Sequence, residues 1–385
     1  MKILLIGEYS KLHNSLKQGL IANNHQVLLV ADGDGFKNYP TDFSYKAKFF
    51  NHKYLYYFIA AIYKITKIDL IKIEKFIRFY LLLPKLKNFD VIQLINEQSI
   101  VTYPKWEIYL LKKLLKYNKK LFLLSCGEDF YSLNYFKFKN PKYSILTPYF
   151  QNPKDNAYRF TFRYLEKPHL PLSQFIYNNC NGIIASDIDY VNPLLDNPKF
   201  LGLIPNPINY KDLDFQPLTI NDKIVITLGI NSLSYLKKGI HFFENALKII
   251  QEKYPHKTEI MITQNLSYQE YSKIISKTHI LLDQIFSFDQ GYNALEAMSL
   301  GKVVFTGAES EFLNFYNLEK NQVCINALPD VNLIVNELSF LIENPNKILE
   351  ISKNARNFII KNHDYQLIAN KYLKKWESNN LNYQK

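Results

Sequence analysis

The stretch Asp289-Gln-Gly-Tyr-Asn-Ala-Leu-Glu-Ala-Met-Ser-Leu-Gly-Lys-Val-Val-Phe-Thr-Gly307 decides the fold class of this chain. It predicts a glycine-opened loop, a short apolar helix that carries Glu296 and ends at Gly301, and a strand over Val303–Thr306. Backbone N–H groups at the start of such a helix can hold an anion. A carboxylate in its first turns can accept hydrogen bonds from the two hydroxyls of a ribose. This loop–helix–strand unit therefore suits a nucleotide-sugar diphosphate.

Short apolar runs that alternate with helical segments extend this pattern over the whole chain. The first part begins with a β-α-β unit, and the pattern restarts after the proline-rich segment Leu203-Ile-Pro-Asn-Pro-Ile-Asn209. Strands are predicted at residues 2–7, 26–31, 91–95, 121–125, 182–185, 223–229, 259–263, 279–283 and 303–306, and helices at residues 12–22, 240–252, 268–277, 346–361 and 365–376. Two such arrays predict an α/β chain of two Rossmann-like domains that face a cleft, over residues 1–206 and 207–385.

Composition limits the classes of protein that this chain can represent. With 385 residues, 47% hydrophobic and 21% charged, it is typical of a globular protein of more than one domain. The net charge of +12 favours an anionic partner, although a general enrichment in lysine explains it equally well. Only four residues are arginine, which argues against sequence-specific DNA recognition. Three widely spaced cysteines indicate neither disulfides nor zinc, so we expect a reducing, cytoplasmic location.

The segment at about 49–87 is rich in tyrosine, phenylalanine, isoleucine and lysine at helical spacing. It predicts two helices inserted into the first domain, with a face that could lie on the anionic inner surface of the plasma membrane. Packing on the sheet with solvated lysines is the alternative. We expect neither a signal peptide nor a transmembrane helix, because the amino-terminal apolar run is short and charged residues interrupt the stretch 54–71.

With these motifs in place, the chain resembles the retaining GT-B glycosyltransferases of the large group called family 4. The stretch Gly291-Tyr-Asn-Ala-Leu-Glu-Ala-Met-Ser-Leu-Gly-Lys-Val-Val is similar to that group's G-x-x-x-x-E-A-M-A-x-G-x-P-V signature. Gly229 followed by Lys238-Gly239 is similar to its G-R…K-G pair, and the loop from Gly7 to His13 occupies the place of its first-domain glycine loop. The order of strands and helices agrees over nearly the whole chain.

Two positions depart from the pattern of that group. The group has two acids with seven residues between them, and the second matches Glu296. The first falls on Phe288, with Asp289 one position later. The arginine that follows the glycine of the second domain is Ile230 here, so that lysines remain to hold the diphosphate. Donor identity, and to a lesser degree activity, depend on how the structure compensates for these changes.

The resemblance implies a donor site in the second domain and an acceptor site in the first. Glu296 would bind the ribose, and Lys238 would stabilise the departing diphosphate without a metal. His13 would contact the sugar or act as an acid/base. Further substrate contacts are expected from Gly7, Glu8, Glu128, Asp129, Gly229, Asn231, Lys237, Asp289, Gly291, Tyr292 and Asn293. For each side chain the alternative is a structural role, such as a helix cap, a packed histidine or a solvated lysine.

Three Asp-x-Asp triplets could hold a divalent cation through hard oxygen ligands, at Asp32/Asp34, Asp187/Asp189 and Asp212/Asp214. Such triplets are short and common, and we expect no metal and no cofactor. The predicted activity is transfer of a sugar from a nucleotide diphosphate to a glycan or lipid-linked acceptor, in cell-surface polysaccharide or lipopolysaccharide synthesis. The alternatives are a nucleotide-sugar epimerase of the same fold, a binding protein without catalysis, and a non-specific nucleic-acid binder.

Overall fold

The fold is given by a computed structural model that describes residues 1–153 and 156–378. The predicted second domain extends to residue 385, and its last part, 379–385, lies outside the described residues. The strands are β1 (Lys2–Ile6), β2 (Gln26–Ala31), β3 (Phe43–Ser44), β4 (Val91–Leu94), β5 (Lys120–Ser125), β6 (Gly182–Ala185), β7 (Phe200–Leu203), β8 (Ile224–Ile230), β9 (Thr258–Gln264), β10 (Ile280–Leu282), β11 (Val303–Thr306) and β12 (Ile325–Asn326).

Helices connect nearly all of these strands. They are α1 (Leu12–Ala22), α2 (Tyr56–Thr66), α3 (Leu70–Leu82), α4 (Pro104–Leu115), α5 (Phe130–Lys139), α6 (Thr147–Gln151), α7 (Arg159–Phe162), α8 (His169–Asn179), α9 (Val191–Leu194), α10 (Ile240–Lys253), α11 (Tyr268–Lys277), α12 (Tyr292–Ser299), α13 (Ser310–Tyr316), α14 (Val331–Glu343), α15 (Pro345–Asn362) and α16 (Tyr365–Ser378). Every strand and helix listed from the sequence is confirmed, with ends that agree to within about two residues.

Two parallel sheets form the centre of the molecule. The first has the order β3-β2-β1-β4-β5-β6-β7, and the second has the order β12-β11-β10-β8-β9. The central strands β1, β4, β5, β6, β10 and β11 are buried on both faces because helices cover them, which is why the sequence shows apolar runs there rather than alternation. The predicted α/β class with two Rossmann-like domains is confirmed. The boundary at 206/207 stays a prediction.

The chain passes between the two sheets twice. The first passage follows β7, and the second joins α15 to α16. The two passages lie side by side, because Ile208 N donates to the His363 carbonyl oxygen at 2.7 Å and Ile208 forms a bridge with Asp364. After the second passage, α16 packs on α1 of the first domain, where a Cβ at Gly19 would lie 2.2 Å from the Tyr365 carbonyl oxygen.

Candidate donor site in the cleft

A cavity of about 290 Å³ lies between the two sheets, next to the carboxyl ends of β1, β2, β8 and β9. Ligands of open α/β sheets bind at this edge, where successive loops diverge. Three lining residues come from the first domain, namely Ser10, Lys37 and Tyr39. The second domain contributes the others, namely Gly229, Ile230, Asn231, Ser234, Lys238, Thr263, Asn265, Leu266, Tyr268, Tyr271, Tyr292, Asn293 and Glu296.

Glu296 faces this cavity from the second turn of α12. Its Oε1 accepts hydrogen bonds from Lys11 Nζ at 3.3 Å and from the Tyr268 hydroxyl at 3.2 Å. Burial raises the pKa of Glu296, and the neighbouring Lys11 ammonium partly offsets that effect. Within the described part of the chain, Oε2 accepts no hydrogen bond, so this oxygen can receive one from a ligand hydroxyl.

Lys238 brings a positive charge to the same cavity. Its loop ends at Gly239, whose φ of 67° fits glycine, directly before α10 begins. Nζ lies 2.8 Å from Asp283 Oδ1, and the Asn293 side-chain amide donates to the same oxygen at 2.8 Å. Asp283 therefore fixes both the ammonium and the amide against one wall. Lys238 and Glu296, which sequence analysis placed in one donor site, indeed share a cavity.

The amino terminus of α12 supplies backbone donors at this wall. Gly291 precedes the helix in an extended conformation, and no side chain caps the first turn. Tyr292 and Asn293, the first two residues of the helix, line the cavity. Free N–H groups at a helix start bind anions. Because an ammonium lies beside them, the arrangement suits a phosphate group.

Three residues of the first-domain loop lie behind the cavity rather than in its lining. The Glu8 carboxylate accepts hydrogen bonds from the backbone N–H of His13 and of Asn14, so it caps α1, and burial raises its pKa to about 8. His13 is 0% exposed, its Nδ1 donates to the Gly7 carbonyl oxygen at 2.7 Å, and burial lowers its pKa to about 3. The imidazole is neutral near pH 7. The arrangement gives no support to the sugar contact or acid/base role expected of His13, and both stay predictions.

The loop after β5 contributes to contacts between the domains. Asp129 is buried and caps α5 by accepting from the Ser132 N–H at 2.7 Å. Glu128 forms an ion pair with Lys237, which precedes Lys238 on the opposite side of the cleft. None of the three residues lines the cavity described above. Their predicted substrate contacts therefore remain predictions, whereas their structural roles are visible.

Asp289 does not line the cavity either. It lies near Asp187 and Asp189, and one carboxylate oxygen of each is within 4.8 Å of the others. Asp289 Oδ2 accepts from the Ile188 N–H at 3.1 Å, while Asp189 Oδ2 accepts from the Ser287 hydroxyl at 2.7 Å. Such a group has the donor chemistry of a divalent-cation site. The arrangement gives no support to a donor contact of Asp289, and the expectation that no metal binds stays a prediction.

The first-domain wall of the cavity is what the sequence analysis missed. Lys37 lines it and is held by Asp34 at 2.7 Å, while Lys11 reaches across the cleft to Glu296. Tyr39 and Tyr268 contact each other edge to face across the same cleft, with ring centroids 6.0 Å apart. The sequence contained one indication of this wall, because Lys11 lies in the loop from Gly7 to His13, which matches a glycine loop in the resembling group.

Comparison with known proteins agrees with this geometry. Residues 233–374 match the model of a family described as glycosyl transferase-like. The chain is similar in fold to sucrose-phosphate synthase from Thermosynechococcus elongatus, with 13% identity, a TM-score of 0.61 and 98% of each chain covered. It is also similar to HepE of Anabaena in complex with UDP and glucose, with 12% identity, a TM-score of 0.59, and 98% of this chain and 100% of that one covered.

A third similar structure is the UDP-GlcNAc 2-epimerase from Neisseria meningitidis bound to UDP-GlcNAc. It shares 13% identity and a TM-score of 0.53, with 98% of this chain and 100% of that one covered. A search of curated protein sequences finds no match. The chain thus has the GT-B fold, and residues 233–374 of its second half are similar to a glycosyl transferase-like family.

Proposed function

We propose that the protein is a glycosyltransferase that takes a sugar from a nucleotide diphosphate donor. One observation carries this proposal: Glu296, Lys238 and the uncapped start of α12 line the same cavity. A carboxylate for a ribose, a cation for a diphosphate and backbone donors for its oxygens are the groups that such a donor requires. The match of residues 233–374 to a glycosyl transferase-like family supports it.

Each group has a distinct task in the proposed reaction. Glu296 would accept hydrogen bonds from the ribose hydroxyls and hold the nucleoside in place. Negative charge grows on the diphosphate as the sugar–oxygen bond breaks, and Lys238 together with the α12 N–H groups would stabilise it. In other enzymes, one such fixed group lowers the activation free energy by roughly 3 kcal/mol. Retention of the anomeric configuration and independence from metal are proposed on the family resemblance alone.

The donor site is tested by thermal shift with a panel of UDP-, GDP- and ADP-sugars. We expect one nucleotide class to raise the melting temperature of the wild type. Glu296→Ala should weaken that binding by roughly tenfold or more, because the ribose hydroxyls lose a charged hydrogen-bond acceptor. Glu350→Ala, which removes an exposed glutamate of α15, is the control and should bind as the wild type does. Equal binding by Glu296→Ala would contradict the assignment.

Epimerisation of the nucleotide sugar is a second candidate, because UDP-GlcNAc 2-epimerase has a similar fold. The two activities differ in what they need: an epimerase converts its donor without any acceptor. Incubation of the selected nucleotide sugar with the protein alone, followed by chromatography of the sugar, separates them. An epimeric nucleotide sugar would support the second candidate. An unchanged or slowly hydrolysed donor, consumed rapidly once a glycan or lipid-linked acceptor is added, supports the first.

The acceptor is proposed to be a glycan or a lipid-linked sugar at an anionic membrane, as in cell-surface polysaccharide or lipopolysaccharide synthesis. Helix α2 buries only Ile59, whereas Tyr57 and Ile65 are 84% and 81% exposed. Exposed lysines, including Lys64 and Lys67, lie among these side chains. Every helix within residues 1–153 and 156–378 is too short or too polar to traverse a bilayer. An aromatic and basic face of this kind suits contact with a membrane surface instead.

A further inference from the structure

The loop that precedes α1 holds two ordinary residues in a conformation that favours glycine. Ser10 has φ of 51° and Lys11 has φ of 74°. For a residue with a Cβ, this left-handed region costs on the order of 1 kcal/mol or more. Strain of this kind persists where the surrounding structure requires it, often at functional sites. Glycine would adopt this conformation without strain. The presence of lysine at position 11 therefore indicates that its side chain has a role.

Lys11 reaches across the cleft to the proposed ribose acceptor. Its Nζ lies 3.3 Å from Glu296 Oε1 and 5.4 Å from the centre of the Tyr268 ring. Burial disfavours the ammonium, but Glu296 and Tyr268 outweigh this effect and raise the pKa of Lys11. The lysine is therefore charged. In the free protein, Lys11 forms an ion pair with Glu296, the carboxylate that a ribose would bind.

The charges around the cavity are balanced in the absence of a ligand. The three ammonium groups pair with three carboxylates: Lys37 with Asp34 at 2.7 Å, Lys238 with Asp283 at 2.8 Å, and Lys11 with Glu296 at 3.3 Å. A diphosphate brings negative charge that this neutral set does not offset. The Lys11 pair is the longest of the three, and it is the pair whose carboxylate a ribose would use.

The second-domain loop provides Lys238 but no second cation for the diphosphate. Ile230 lines the cavity where the resembling enzymes carry an arginine, and its side chain is apolar. A second positive charge for the diphosphate would then come from elsewhere around the cavity. A ribose that binds Glu296 competes directly with Lys11 and frees its ammonium, which sits on a flexible four-carbon chain.

We propose that Lys11 is a donor-binding residue that leaves Glu296 and pairs with the diphosphate when the nucleotide enters the cleft. The inference rests on the proposed function and deepens it, because it assigns the role of the absent arginine to the first domain. A nucleoside without phosphates would compete with Lys11 for Glu296, but it has no phosphate that the released ammonium could bind.

Calorimetry with matched nucleosides and diphosphates tests this exchange. UDP and uridine, GDP and guanosine, and ADP and adenosine are titrated into wild type, Lys11→Gly, Lys11→Arg and Lys17→Ala. Glycine adopts the left-handed conformation freely, so Lys11→Gly should fold, which circular dichroism and thermal unfolding verify. Lys17→Ala removes a lysine of α1, the helix that follows Lys11, where Lys17 pairs with Asp42 at 2.5 Å, and it controls for the change in net charge.

For the base that the wild type binds, Lys11→Gly should weaken the diphosphate at least tenfold. The nucleoside should bind equally well or more tightly, because Glu296 is free. Lys11→Arg should restore preference for the diphosphate, and Lys17→Ala should behave as wild type. Unchanged diphosphate affinity in Lys11→Gly, or equal losses for diphosphate and nucleoside, would overturn the exchange while the donor site stands. Failure of the wild type to bind any of the three diphosphates would overturn both proposals.

Discussion

Three aspartates meet where the two domains touch, and their ionisation must affect stability. Burial raises the pKa of Asp189 to about 6, and burial beside the other two raises that of Asp289 well above its usual range. Burial and the neighbouring Asp189 also raise the pKa of Asp187 well above its usual range. A carboxyl with a raised native pKa binds more protons in the folded than in the unfolded state. Folding stability therefore falls as the pH rises from about 4 through the native pKa values.

Replacing Asp289 with asparagine should remove part of this cost. The amide oxygen can still accept from Ile188 N–H, while the negative charge of a 7% exposed side chain disappears. We expect Asp289→Asn to gain roughly 1 to 2 kcal/mol at pH 8, since one pKa unit corresponds to about 1.4 kcal/mol. The gain should vanish towards pH 4. Urea unfolding at pH 4, 6 and 8 measures it.

The control for that series is Asp214→Asn, which removes one charge from an exposed position. It should follow the wild type at every pH. EDTA is present throughout, because three carboxylates could also bind a divalent cation and be neutralised in that way. If the folding stability of Asp289→Asn had the same pH dependence as that of the wild type, ionisation of this aspartate would not be the cause of the loss of stability at high pH.

At the residue scale, sequence reasoning found one wall of the cavity and missed the other. Glu296 and Lys238 were recognisable because they lie at fixed spacing from glycines within local loop–helix units. Lys37 and Tyr39 line the same cavity, and Lys11 contacts Glu296, only because two separately folded sheets face each other. No local spacing encodes that placement. The same limit applies to Asp289, whose partners Asp187 and Asp189 are about one hundred residues away in the chain.

At the scale of single elements, α16 is the helix whose position is least local. It follows the second domain in sequence and packs on the first, where Trp376 is 0% exposed. The indole Nε1 donates to Gln93 Oε1 at 3.1 Å, and the ring centroid lies 6.2 Å from that of Phe122. The helix thus packs on α1 and on the central strands β4 and β5 of the first sheet.

Trp376→Ala should destabilise the protein by roughly 3 to 5 kcal/mol, because it leaves a large cavity and an unpaired glutamine. Chemical denaturation followed by circular dichroism measures the change. Leu367→Ala, which truncates a 52% exposed side chain of the same helix, is the control and should shift stability by less than about 0.5 kcal/mol. Similar midpoints for the two variants would mean that α16 adds little to the first domain.

A strand or helix was predictable from the sequence when its own residues strongly favour that conformation. The buried strands β1, β8 and β11 are continuous apolar runs, so the sequence was sufficient. Short edge strands such as β3 and β12 have two residues each and depend on the neighbouring strand for their conformation. The direction in which α16 packs could not be predicted, because its apolar face would fit either sheet.

At the scale of the molecule, the exposed face of α2 should determine membrane contact. Phe58 and Ile65 lie seven residues apart on one side of that helix and are 59% and 81% exposed. Changing both to serine should weaken binding to phosphatidylglycerol-containing vesicles at least tenfold, because burial of one such side chain contributes about 1.5 to 3 kcal/mol. Co-sedimentation with these vesicles measures the effect.

The matched control changes Leu333 and Phe340, which have the same spacing on α14 of the second domain and are 45% and 50% exposed. This double serine variant should sediment as the wild type does. Vesicles of phosphatidylcholine alone should bind the wild type more weakly, since the lysines of the segment then lack anionic partners. Absence of wild-type binding to anionic vesicles, or equal losses in the two double variants, would contradict the membrane proposal.

The paired passages at Ile208 and His363 restrict how the halves of the molecule can move. A single linker would let one half swivel in any direction, whereas two hydrogen-bonded segments side by side act as a hinge with a defined axis. Any opening and closing would then be rotation about that axis, which would bring Lys11 back to the same register with Glu296. In the proposed reaction, product would leave by this rotation without loss of the alignment that the next donor needs.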